Sequence, residues 1–84
     1  MSAYIKIKKL LEKISPTKAK IITILNREEL LLKEISPKAG KSQSTVSIHL
    51  QELVEAGVVC VKSDFKDRRK KTFYLNPEIK RRVS

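Results

Sequence analysis

The 84-residue sequence predicts an α+β fold, mostly α: three or four helices, two of them joined as a helix-turn-helix, followed by a two-stranded β-hairpin that projects as a wing. Three observations predict it. Residues 42–57, SQSTVSIHLQELVEAG, carry a one-sided apolar stripe with helix-boundary signals at both ends. The hydrophobic period then changes from helical to two after Gly57. Finally, the two β-rich stretches that follow are joined by a strongly basic loop. The whole chain, residues 1–84, reads as one domain, with no repeat and no low-complexity segment.

Taken in order, residues 3–14 read as a first helix, with Tyr4, Ile7, Leu10, Leu11 and Ile14 on one side and Lys6, Lys9, Glu12 and Lys13 largely on the other. Its apolar stripe either packs on its own domain or pairs with a second copy of the chain, and it is the expected dimer contact. Ser15-Pro16-Thr17 stops this helix and starts the next, because proline is tolerated in a first turn and disfavours helix in the residue before it. The second helix runs to about Asn26. Ala19, Ile21, Ile22, Ile24 and Leu25 cover much of its circumference, so it is expected to be the most buried.

Residues 28–39 read as the third helix, with Leu30, Leu31, Leu32 and Ile35 as its contact face. Pro37 removes a backbone donor and clashes with the preceding turn, so either this helix ends near Ser36 or Ser36-Pro37 caps a separate short turn. Gly40-Lys41 supplies the tight connection that a helix-turn-helix needs.

The helix within residues 42–57 is the most informative element. With Val46 set at zero, Leu50, Leu53 and Val54 fall in a stripe about 100° wide, and Ser44, Ser47, Ile48 and Gln51 point the other way. The Ser42 hydroxyl can accept from the orphan N–H groups of the first turn, and Gly57 suits the left-handed position that closes a helix. Between Gln43 and Gln51 there is no formal charge. A merely solvated face usually alternates Lys and Glu; Gln43, Ser44, Thr45, Ser47 and Gln51 instead suit the edges of bases, and Ile48 suits a thymine methyl. A bland surface helix is the alternative. His49, at the flank of the stripe, reads as a phosphate contact in preference to a switch, a metal ligand or a catalyst.

Residues 58–61 and 72–75 are short β-branched and aromatic strands joined by the loop 62–71. In that loop Lys66, Arg68, Arg69, Lys70 and Lys71 surround a lone Asp67, placing positive charge where a wing would reach phosphates or a minor groove. Lys38 and Lys41 add charge beside the central helix. Asp67 is most simply a local ion pair that orders the loop, and Cys60 reads as inert packing. Pro77 ends the second strand, and residues 78–84 read as a short basic tail.

Composition bounds the function. Nineteen Lys and Arg against nine acidic residues give a net charge of +10, which points to a polyanion, nucleic acid first. The one basic amphipathic stretch, residues 5–14, lacks Trp and Phe for a membrane surface, and no apolar run is long enough to span a bilayer. The chain is thus expected in the cytoplasm, associated with the nucleoid and with no membrane partner. A core this small leaves little margin, so a second copy is expected to cover part of it. A single Cys excludes an intramolecular disulfide and makes no metal site by itself. No paired carboxylates, nucleophile–base constellation or phosphate loop is present, so the chain is expected to be no enzyme and to carry no cofactor.

The order helix, helix, helix-turn-helix, basic hairpin, with SPTKAKIITIL before KSQSTVSIHLQELVEAGVV, resembles the winged-helix regulators of the ArsR type, and DFKDRRKKTFYLN looks like the wing of MarR-type regulators. The similarity covers residues 15–76. It implies a dimer that binds a pseudo-palindromic operator, with Gln43, Ser44, Thr45, Ser47, Ile48 and His49 entering the major groove and Arg68 and Arg69 the minor groove or its phosphates. Where relatives often have Arg, this chain has Ile48. The paired cysteines of ArsR-type metal sensors are missing from residues 29–35, and the terminal segments are short beside the helices that enclose a ligand pocket in MarR-type proteins. No metal and no small-molecule effector are therefore expected. The resulting expectation is a dimeric, sequence-specific, double-stranded-DNA-binding regulator, a repressor by occlusion; the alternatives are a protein- or RNA-interaction module and a nonspecific architectural DNA-binding protein.

Overall fold

Ser15 opens the first helix that the computed structural model describes, which covers residues 15–67 and 69–83. The expected helix of residues 3–14, with Tyr4, Ile7, Leu10, Leu11 and Ile14, lies outside those residues, as does Arg68 of the wing. In α1 (Pro16–Arg27) the Ser15 Oγ accepts the Lys18 backbone N–H at 3.2 Å, with proline at the first helical position. Its burial is one-sided: Ile21 and Leu25 are in the core, Ile22 and Ile24 are half-buried, and Ala19 is exposed. The expectation that this helix is the most buried is therefore not met, because a small domain has neighbours for only one of its faces.

The chain is extended at Glu28, and Leu30–Leu31 form β1 before α2 (Leu32–Ala39) begins. This corrects the expected helix over 28–39. Three consecutive leucines fit a short strand as well as a helix. Here Leu30 enters the core while the pair occupies one edge of β3, giving that edge backbone partners and taking it out of solvent. Glu34 Oε1 accepts the Leu31 N–H at 2.9 Å, the reach-back half of a capping box that starts α2.

Pro37 lies inside α2, so neither expected boundary, at Ser36 or as a separate turn, is correct. The helix ends two residues later, which confines the loss to the hydrogen bond that an N–H at 37 would have made. Gly40, at φ 69° and ψ 29°, closes α2 by donating to the Pro37 carbonyl at 3.2 Å. The Lys41 N–H donates to the Ser36 carbonyl at 3.2 Å, and the buried Ser36 Oγ donates to the Lys41 carbonyl. These bonds lock the turn into α3 (Gln43–Glu55).

The strands β2 (Val59–Ser63) and β3 (Lys71–Leu75) form the expected hairpin, with Val59 opposite Leu75 and Ser63 opposite Lys71. The sheet has a third member: the order is β1-β3-β2, all antiparallel, with Leu30 opposite Phe73. The expected basic tail forms a helix, α4 (Pro77–Val83), docked through Ile79, which is 2% exposed. Asn76 organises that end. Its Oδ1 accepts the Glu78 N–H at 3.1 Å, its Nδ2 donates to the Gly57 carbonyl at 2.8 Å, and its backbone N–H donates to Val58 at 2.9 Å. Among the described residues no helix is long and apolar enough to cross a membrane.

The core draws on every described element, and α3 contributes Val46, Leu50 and Leu53, none more than 2% exposed. Ile48, on the same helix, is 60% exposed. Leu50→Ala should therefore lose about 2–5 kcal/mol of stability, whereas Ile48→Ala should stay within about 0.5 kcal/mol of the parent. Chemical denaturation of the two variants checks this; equal losses would mean that α3 is rotated from the orientation described.

Candidate nucleic-acid interface

The site begins with the two ends of α3. Ser42 is extended (φ −65°, ψ 157°), and its Oγ accepts the Thr45 N–H at 3.2 Å while lying 3.0 Å from the Thr45 hydroxyl. At the other end Gly57 takes φ 79°, the left-handed conformation that turns the chain into the sheet. Between these caps, the buried stripe leaves Gln43, Ser44, Ser47, Ile48 and Gln51 exposed on the opposite side.

Not every polar residue of the helix is equally free. The Thr45 hydroxyl is engaged with Ser42, and Thr45 is half-buried. Gln51 Nε2 donates to Glu55 Oε1 at 3.5 Å, one turn further from the N-terminal end. His49 is half-buried, and its Nδ1 is shut away from solvent without a hydrogen bond. Beside it the Lys18 ammonium hydrogen-bonds Glu52 and holds that carboxyl below its ordinary range, tying α1 to α3 on the flank away from the exposed face.

The wing is ordered by its own aspartates. Asp64 Oδ1 accepts the Lys66 N–H at 2.8 Å, and Asp67 Oδ1 accepts the Arg69 N–H at 3.0 Å. Backbone bonds from Asp64 N–H to Lys70 and from Lys70 N–H to Asp67 close the loop at 2.9 and 3.0 Å. Asp67 thus orders the loop as expected, here through the Arg69 backbone amide; the expected pairing with Arg68 lies outside the described residues. Lys66, Arg69, Lys70 and Lys71 are exposed and form no ion pair with another described residue.

The two elements meet. An open groove of about 460 Å³ lies between them, lined by Gln43 and Ser47 of α3, by Arg69, Lys70 and Lys71 of the wing, and by Leu31, Leu32, Lys33 and Phe73 between. Polar helix positions and wing cations that are more than twenty residues apart in sequence thus line one concave surface. Lys33 lines the groove although it belongs to none of the sequence motifs that point to nucleic acid. It lies in the first turn of α2, directly after the strand β1 that pairs with β3 of the wing.

Other cations lie outside the groove. Lys38 pairs with Glu28 at 3.3 Å on the exposed side of α2, outside the groove. Lys62 hydrogen-bonds Glu29, which raises its pKa, and lies 5.5 Å from the Tyr74 ring. Lys41 sits exposed in the turn before α3. Among the described residues no group of three or more His, Cys, Asp and Glu side chains is placed to hold a metal ion, and Cys60 is a half-buried free thiol.

Comparison with known proteins agrees with this architecture. Residues 15–61 match the family described as bacterial regulatory protein, arsR family, more than half of the chain. No curated protein matches. Among solved structures, the adhesin competence repressor AdcR of Streptococcus pyogenes superposes with a TM-score of 0.75 at 23% identity, over 92% of this chain and 57% of that one. A MarR family transcriptional regulator from Silicibacter pomeroyi gives 0.74 at 24%, over 95% and 56%. The homodimeric winged helix-turn-helix DNA-binding domain of Mb0332 from Mycobacterium bovis, described as a possible ArsR-family regulator, gives 0.74 at 20%, over 94% and 69%. The chain spans little more than half the length of the first two. At these identities the likeness concerns the fold, which is a winged helix-turn-helix. The sequence match carries the family: the chain belongs to the arsR family of bacterial regulatory proteins.

Proposed function

We propose that the chain binds double-stranded DNA as a homodimer and represses transcription by occluding an operator. In this reading α3 enters the major groove with Gln43, Ser44, Ser47 and Ile48 against base edges, while Arg69, Lys70 and Lys71 of the wing contact phosphates or the adjoining minor groove. The observation that carries it is the shared groove: uncharged polar residues of the helix and exposed wing cations line one surface. Such a division suits duplex DNA, where phosphate contacts position a protein and base contacts specify the sequence. A protein-interaction module would have little use for an excess of ten positive charges. The homodimeric description of the Mb0332 domain supports a two-fold assembly, and membership of a regulatory family supports a role without catalysis. No small-molecule effector is part of this reading, and an intracellular location follows from its partner.

Selection of bound duplexes from a random pool tests the proposal. A consensus with two half-sites related by a two-fold axis is expected; retention of duplexes without any consensus would indicate an architectural role, and no retention would indicate a different partner.

The helix and the wing should fail differently. On the selected duplex Ser44→Ala should weaken binding by ~1–3 kcal/mol while leaving random duplexes unaffected. The double variant Arg69→Ala, Lys70→Ala should weaken both and lower the slope of log affinity against log salt by up to about two, at ~0.9 per phosphate contact. Salt titrations on one selected and one random duplex distinguish these outcomes; a double variant with parental affinity and slope would remove the wing from the interface.

A further inference from the structure

Phe65 stands at the tip of the wing with its side chain 100% exposed. Among the described residues the other exposed large apolar side chains are partly covered, Ile48 at 60% and Val61 at 41%, whereas Phe65 projects entirely into solvent. The backbone on either side of it is hydrogen-bonded. Asp64 on one side of it accepts the Lys66 N–H on the other, and the Asp64 N–H bonds across the loop to the Lys70 carbonyl. The same wing carries the exposed Lys66, Arg69, Lys70 and Lys71, the last three of which line the groove with α3.

We propose that Phe65 is a wedge that inserts from the minor groove between two base pairs and partly unstacks them. The inference rests on the duplex-binding reading above and deepens it by assigning the wing tip a contact with bases. A duplex seated on the face of α3 brings phosphates to the cations that line the shared groove. A phenyl ring gains nothing from a phosphate; the apolar surface within reach of a tip that follows the backbone is the stacked face of a base step. Insertion of apolar side chains at the minor groove is a recurrent way to kink a duplex, and it costs least at flexible pyrimidine–purine steps such as TA. The wing would then contribute sequence preference through deformability, at base pairs that α3 does not touch.

The test scans a 2-aminopurine reporter through the duplex that the parent chain binds most tightly and compares the parent with Phe65→Ala and Phe65→Leu. Because the side chain makes no packing contact, both variants should fold as the parent does. Expected are a fluorescence increase at one or two positions outside the half-site cores, its loss in Phe65→Ala with affinity reduced about tenfold, and its recovery in Phe65→Leu. The salt slope should not change, since no phosphate contact is removed. Parental affinity and parental brightening in Phe65→Ala would overturn the wedge while leaving duplex binding intact. Failure of the parent to bind any duplex would overturn both, and Phe65-dependent binding to anionic phospholipid vesicles without duplex binding would assign the tip to a lipid surface instead.

Discussion

The burial of Val46, Leu50 and Leu53 is the constraint on which the interface depends. Successive residues on a helix turn by about 100°, so a stripe fixed in the core leaves no rotational freedom to the opposite face. Ser42 and Gly57 fix the ends, and Ser36 and Gly40 fix the approach. The face of Gln43, Ser44, Ser47 and Ile48 is thereby presented rigidly, before any partner arrives. Such preorganisation limits the ordering entropy that binding must overcome.

The wing obeys a second constraint. β3 is paired on both sides, by β1 and by β2, and Asn76 ties its end to the end of α3 through the Gly57 carbonyl. A two-stranded hairpin alone would be free to swing. The two-residue strand β1 gives β3 its second partner and, by delaying the start of α2 to Leu32, brings Lys33 to the groove. The cations and the uncharged helix face hold one relation to each other because sheet and helix share a core.

Much of this was legible in the residues. The 3.6-residue period over 42–57, with caps at both ends, located the central helix and its free face, and the switch to period two after Gly57 located the hairpin. What was not legible depended on tertiary partners. Leu30-Leu31-Leu32 has no period of its own, and only the open edge of β3 makes it a strand. Pro37 costs most in a helix that continues well beyond it, whereas Gly40 ends this one within a turn. Residues 78–83 are mostly polar, so the sequence there has too few apolar positions to reveal a helix docked through Ile79. The separation of Lys38 from Arg69, Lys70 and Lys71 rests on an ion pair with Glu28 that spacing alone does not show.

The central claim is that the uncharged face of α3 and the basic wing engage one duplex together. Backbone amide shifts of the ¹⁵N-labelled full chain, titrated with the tightest-binding duplex, test it most directly. The account predicts the largest changes at Gln43, Ser44 and Ser47 and at Lys66, Arg69 and Lys70, with little change at Ala19, Lys20 and Thr23 on the exposed side of α1. Changes centred on α1, with residues 43–47 unmoved, would contradict it.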